Sequence, residues 1–267
     1  MPYTMDSSSF DELVSNNPDA MKILAEGDSW FAYPPKFIAF GQASNVVAQL
    51  GRNNDMVIYS SASSGDEAVS MLSGPEKRSL CKRITANNYD FLLFSGGGND
   101  IVGRYDFDFL LQTKTPGGSW ESCVNKDRLA NKLEMLRLVY EDLIERTQEY
   151  SGNPNIKIVT HTYDLAIPSM KGFELFNKVP LGEAWMGPFL VKKGVADPDE
   201  QKQIVGLILG EFRDMLLKIQ AKFPDRFYVV DTWGSVRDDQ WLNEIHPTPA
   251  GFATVADRIA AKLRALL

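Results

Sequence analysis

Five short apolar runs, at residues 21–25, 56–59, 91–94, 156–160 and 227–230, are separated each time by longer stretches of helical spacing. This alternation narrows the fold more than any other property of the chain. Runs of this length without polar alternation suit strands buried on both faces, and strands joined through helices build a parallel sheet with right-handed crossovers. The spacing predicts helices over 37–50 (ended by Gly51), 66–72, 125–150, 196–223 and 249–267. In the 125–150 helix, Leu129, Leu133, Leu136, Val139, Tyr140 and Leu143 share one face. The expectation is an α/β fold with about five parallel strands.

The 267 residues, 44% of them apolar, suit one large domain. Residues 1–20 read as a polar surface segment with a short helix over 10–15, and residues 21–267 as the domain itself. Two stretches stay irregular in this reading: a loop from about 95 to 120, broken by Pro116-Gly117-Gly118, and an insertion at about 163–195. Both leave the carboxyl edge of the sheet, where open α/β folds bind ligands.

Charge and composition exclude several classes of partner. Twenty-eight basic against 35 acidic residues give a net charge of −7, without the basic stripe that phosphate contacts require, so no nucleic-acid partner is expected. No stretch approaches the roughly 18 apolar residues of a transmembrane helix. The N-terminus lacks the basic start and apolar core of a secretory signal, and two cysteines do not make a disulfide framework, so a cytoplasmic setting is expected. Two histidines and two cysteines offer no zinc spacing, and neither glycine-rich stretch fits a dinucleotide fingerprint; no metal and no cofactor are expected.

The chemistry gathers at the strand ends. Glu26-Gly27-Asp28-Ser29-Trp30 follows the first apolar run and offers a serine at the sheet edge. A serine hydroxyl becomes a nucleophile when a base removes its proton, and a histidine is the usual base. His246, in Asn243-Glu244-Ile245-His246-Pro247 before the last helix, suits that role better than His161, which directly follows the fourth run and can cap the strand instead. Attack on an ester also creates an oxyanion that needs donors already in place. Asn99 offers a side-chain amide, and Gly65 and Ser29 offer backbone N–H groups; turn chemistry alone would also account for Gly65, Asn99 and the Gly96-Gly97-Gly98 run.

Gly-Asp-Ser near the N-terminus, a glycine after the second strand, Gly-x-Asn-Asp after the third and a histidine before the last helix occur in an order that resembles the SGNH (GDSL-like) hydrolases. Ser29, Gly65, Asn99 and His246 match the four naming residues, and Gly97 and Asp100 complete the third motif. The resemblance spans about residues 21–267. It implies a flavodoxin-like three-layer α/β/α fold and a serine esterase acting on small or medium acyl esters without a cofactor. Ser29 would be the nucleophile, His246 the general base, and Ser29 N–H, Gly65 N–H and the Asn99 amide the oxyanion donors.

Two positions depart from the pattern. Trp30 stands where the family has leucine, which reads as a packing change. Asn243 stands where the family has aspartate three residues before the histidine. An amide oxygen can orient an imidazole but supplies no charge; Asp231, Asp238, Asp239 and Glu244 are the nearby carboxylates that could. A catalytically weak or inactive ligand-binding module that keeps the pocket is the competing reading.

Overall fold

The computed structural model describes residues 3–33, 45–172, 174–175, 179–180 and 184–267. In chain order these form β1 (Tyr3–Thr4), α1 (Ser7–Asn16), β2 (Met21–Gly27), α2 (Ser29–Ala32), α3 (Val46–Leu50), β3 (Met56–Ser60), α4 (Ala68–Met71), α5 (Gly74–Ala86) and β4 (Phe91–Ser95). Then come α6 (Gly98–Val102), α7 (Arg104–Leu110), α8 (Lys126–Tyr150), β5 (Lys157–His161), β6 (Glu174–Leu175) and β7 (Val179–Pro180). The chain closes with α9 (Gly187–Lys192), α10 (Pro198–Lys222), β8 (Phe227–Val230) and α11 (Pro249–Leu266).

The main sheet is parallel, in the order β1-β3-β2-β4-β5-β8, and the five predicted runs supply five of its strands. The sixth, β1, pairs Tyr3 with Ile58 and Thr4 with Tyr59, so the count of about five is corrected to six. A two-residue edge strand leaves no hydrophobic run to read. The N-terminal stretch read above as surface also places Phe10 of α1 fully inside, against Tyr59 and Tyr89.

Helices cover both faces in a three-layer α/β/α arrangement. Two helix groups form: α3 packs with α11, and α8 packs with both α5 and α10. The two 25-residue helices are set by caps and by their apolar faces. The Asn125 side chain accepts Arg128 N–H at the start of α8, and Asp197 with Pro198 opens α10. Leu136, Tyr140, Leu143 and Ile144 of α8 and Ile204, Ile208, Phe212 and Leu216 of α10 are buried at helical spacing.

Three expectations change in detail. The predicted 66–72 helix is the single turn α4, followed by the unpredicted α5, whose many charged residues hide a face of Leu80, Cys81 and Ile84. The 95–120 loop contains α6 and α7, and the 163–195 segment contains the β6–β7 hairpin and α9. The predicted 37–50 helix is seen as α3; its residues 37–44 lie outside the described residues, as do the aromatics Phe173 and Phe176 of the 163–195 insertion. Cys81 and Cys123 are buried free thiols. Among the described residues, no helix is long and apolar enough to cross a membrane.

The chain reverses its direction of growth at β2: β3 lies on one side of it and β4 on the other. The crevice beyond the carboxyl end of such a strand is where open α/β sheets take ligands. Ser29 stands there.

Candidate active site

The nucleophile candidate is placed by a cap. Asp28 precedes the one-turn helix α2, and its Oδ1 accepts Trp30 N–H at 2.9 Å. The same carboxylate takes the Ser95 hydroxyl on Oδ1 (2.8 Å) and the Tyr163 hydroxyl on Oδ2 (2.6 Å). Burial pushes the Asp28 carboxyl up to about 6, against the pull of these donors. Ser29 is itself buried, and its hydroxyl lies 2.8 Å from His246 Nε2.

His246 sits in a tight loop bridged by Trp241 and Pro247. Its Nδ1 lies 3.1 Å from Asn243 Oδ1, and that oxygen also accepts the backbone N–H groups of Ile245 (3.1 Å) and His246 (2.9 Å). Two amide donors that cannot rotate away require an oxygen at this position, which settles which way the Asn243 amide faces. An oxygen there in turn requires Nδ1 to carry the proton, leaving the Nε2 lone pair to accept from Ser29. The imidazole is stacked on Tyr33 (4.1 Å, 21°) and meets the Trp185 ring edge-on (5.8 Å, 82°). Burial pushes its pKa down to about 3. Burial pushes the Tyr33 hydroxyl up to about 12, against the pull of a hydrogen bond with the Asn243 side chain.

None of the nearby carboxylates reaches this imidazole. Asp231 pairs with Arg213, Asp239 with Arg237 and Asp238 with Lys202, while Glu244 accepts four backbone N–H groups of the 163–195 segment. Of the candidates weighed from sequence, only Asn243 contacts His246.

Asn99 and Asp100, at the start of α6, hold the neighbouring loop. Asn99 Nδ2 donates to Asp66 O (2.8 Å), and the Asp100 carboxylate accepts Ala68 N–H (2.7 Å) and Val69 N–H (3.2 Å). Gly65 lies in the loop so clamped, with φ +95°, a conformation that favours glycine. The loop is tied to the nucleophile strand as well: Ser61 N–H donates to Ala25 O and Ser63 N–H to Gly27 O, each at 2.9 Å. Among the described residues neither Ser29 N–H nor Gly65 N–H has an intramolecular acceptor. The Gly97 turn that presents Asn99 has φ +101° and lies so close to the Phe212 ring that a Cβ would collide with it. Tyr140 fastens the turn from below by donating to Gly96 O at 2.6 Å.

A narrow cleft opens beside Ser29 and Asn99, lined by Trp30, Val102, Tyr163, Ala166, Leu209 and Ile245. Trp30 does more than fill space. Its Nε1–H donates to Ile245 O at 3.0 Å, tying the helix of Ser29 to the loop of His246. Sequence reasoning missed this tie and the Tyr163 hydroxyl bond to Asp28. Tyr163 has φ +56°, unusual for a bulky residue, and is held there by Thr232 Oγ1–H (2.6 Å) on its carbonyl and by His161 Nδ1 (3.1 Å) on its N–H. No local sequence signal marks such a residue; its position two residues beyond β5 is the only hint.

No protein-family model matches the sequence, and no curated protein matches it either. Solved structures do. A candidate SGNH hydrolase from Slackia heliotrinireducens superposes with a TM-score of 0.56 at 14% identity, over 91% of this chain and 98% of that one. The chain has the SGNH-hydrolase fold. The lipase Lip_vut3 from a goat rumen metagenome (TM-score 0.58, 14% identity, 91% and 97% covered) is similar to it to the same degree. So is an extracellular lipase from Streptomyces rimosus (TM-score 0.55, 15% identity, 91% and 99% covered). Within the SGNH-hydrolase fold of this chain, Ser29, Gly65, Asn99 and His246 stand on four different strand-end loops, which explains their wide separation in sequence.

Proposed function

We propose that the protein is a serine esterase acting on small or medium acyl esters. The observation that carries this reading is the Ser29 Oγ to His246 Nε2 contact of 2.8 Å, with the tautomer set by Asn243 Oδ1. In this reading Ser29 Oγ attacks the acyl carbon as its proton passes to Nε2. Ser29 N–H, Gly65 N–H and the second Asn99 amide hydrogen receive the oxyanion. The imidazolium then protonates the departing alkoxide, and water, deprotonated by the same nitrogen, releases the acyl group from Ser29. The fold neighbours described as lipases and hydrolases support the class of reaction. The mainly apolar lining of the narrow cleft beside Ser29 supports an acyl group rather than a charged one as the part bound there. Two buried free thiols suit a reducing cytoplasm.

Asn243 favours a second reading, a pocket retained for binding after loss of a catalytic acid. A fluorophosphonate probe separates the two, because it reacts only with an activated serine. Labelling that disappears in Ser29→Ala, together with hydrolysis of p-nitrophenyl esters, is the expected result. A wild-type protein that neither labels nor hydrolyses any ester from acetate to octanoate would establish the binding module instead.

A further inference from the structure

The carboxylate beside the site that sequence offered as a charge for His246 is used elsewhere. Glu244 is fully buried, and its two oxygens accept four backbone N–H groups: Ser169 (2.7 Å) and Gly187 (2.9 Å) on Oε1, Trp185 (2.5 Å) and Met186 (2.6 Å) on Oε2. Among the described residues it pairs with no Lys or Arg side chain, so peptide dipoles alone meet its charge. Burial raises its pKa, and the four amides pull in the opposite direction.

The four amides come from two separate stretches, Ser169 and 185–187, with the β6–β7 hairpin between them. One side chain from the histidine loop therefore closes the base of the hairpin-bearing segment. The closure is tight: a Cβ at Gly187 would run into the Ser169 carbonyl oxygen and press on Glu244 Oε1. It also brings Trp185, whose own N–H is one of the four, edge-on to the His246 ring at 5.8 Å. The other side of the same loop is held by Trp30 on Ile245 O.

We infer that Glu244 is a positioning residue that latches Ser169 and residues 185–187 onto the histidine loop, sets Trp185 against His246, and so determines which esters the site admits. The selectivity part rests on the esterase reading; the latch does not. The chemistry that makes it specific is the absence of any donor on a carboxylate. In Glu244→Gln the volume is kept, but whichever way the amide turns, its NH₂ faces two backbone N–H donors.

Hydrogen exchange and ester selectivity test the two parts. In the wild type the amides of 169 and 185–187 should be protected, and in Glu244→Gln they should exchange about tenfold faster or more while β2 and β4 are unchanged. The ratio of kcat/KM for p-nitrophenyl octanoate to that for the acetate should move by about tenfold in Glu244→Gln. Trp185→Ala should move the same ratio yet leave the four amides protected, because it retains the Trp185 N–H. Wild-type amides that exchange as freely as the chain ends would overturn the latch, and that measurement needs no variant to fold. An unchanged ester ratio in Trp185→Ala, or in a folded Glu244→Gln with faster exchange, would reduce Glu244 to a purely structural residue. Were the wild type to hydrolyse no ester, the esterase reading and the selectivity would fall together, and exchange would still decide the latch.

Discussion

The molecule holds two buried serine–histidine pairs at the same sheet edge, and they are chemical opposites. His161 Nε2 lies 3.0 Å from Ser95 Oγ, and His246 Nε2 lies 2.8 Å from Ser29 Oγ. Both imidazoles are buried, and burial pushes both down to about 3. What separates them is the partner of the other ring nitrogen. Nδ1 of His161 accepts the Tyr163 N–H, so the proton sits on Nε2 and is donated to Ser95, whose own hydrogen goes to Asp28. Nδ1 of His246 donates to Asn243, so Nε2 accepts from Ser29. The distance between a serine and a histidine thus says little about nucleophilicity, and the atom on the far side of the ring says most.

The largest expected effect breaks the comparison outright. Ser29→Ala and His246→Ala should each reduce ester hydrolysis to below about one percent with the fold intact, as loss of a nucleophile or base does. Ser95→Ala should keep fluorophosphonate labelling and lose stability instead, by about 1–3 kcal/mol, because it leaves buried partners unpaired. Labelling that follows Ser95 rather than Ser29 would invert the assignment. Next in size, Asn99→Ala should slow turnover by roughly 10² to 10³ and leave labelling detectable, the loss typical of one oxyanion donor. An unchanged kcat would make Asn99 a clamp for Asp66 and nothing more.

Asn243 sharpens the comparison, because it sets the tautomer. Asn243→Ala should lower kcat by about tenfold or more by freeing the imidazole to rotate. Asn243→Asp should retain or raise activity and, by favouring the imidazolium, move the acidic limb of kcat/KM upward by about one to three pH units. The wild-type limb should lie well below the ordinary histidine value, since burial holds His246 neutral down to about 3. Superimposable profiles for the wild type and both variants would remove Asn243 from the mechanism. The smallest effect lies beneath the site, at Glu26, whose carboxyl burial pushes up to about 7 despite Ser61 and Arg83. A carboxyl raised in the folded state contributes stability at low pH that is lost as pH rises through about 7. Glu26→Gln should therefore match the wild type in Tm at about pH 5 and exceed it at about pH 8; the reverse order in thermal melts would show that the Arg83 pair outweighs burial.

Much of the fold was legible because buried parallel strands are written as apolar runs and long helices as periodic ones. The misses share a cause. Tyr3–Thr4 is too short to form a run, and α5 is masked by charge on its exposed face. The site divides in the same way. Ser29, Asn99 and His246 stand out because their side chains point to chemistry, whereas Glu244 and Tyr163 act on backbone groups or a distant carboxylate, partners that no one-dimensional pattern displays.

Asn99 and Asp100 reach into the Gly65 loop with consecutive side chains, and nothing packs where a Gly65 side chain would be. The loop's rigidity is therefore borrowed. A substitution within 61–67, Gly65 excepted because its φ of +95° strains any other residue, leaves the clamp in place, whereas one at Asp100, outside the cleft lining, removes the acceptor of Ala68 and Val69 N–H and frees a loop to which it does not belong. Directed evolution has correspondingly more freedom at 61–64 than their nearness to Ser29 suggests, and less at Gly65 and Asp100 than the open space at one and the remoteness of the other suggest.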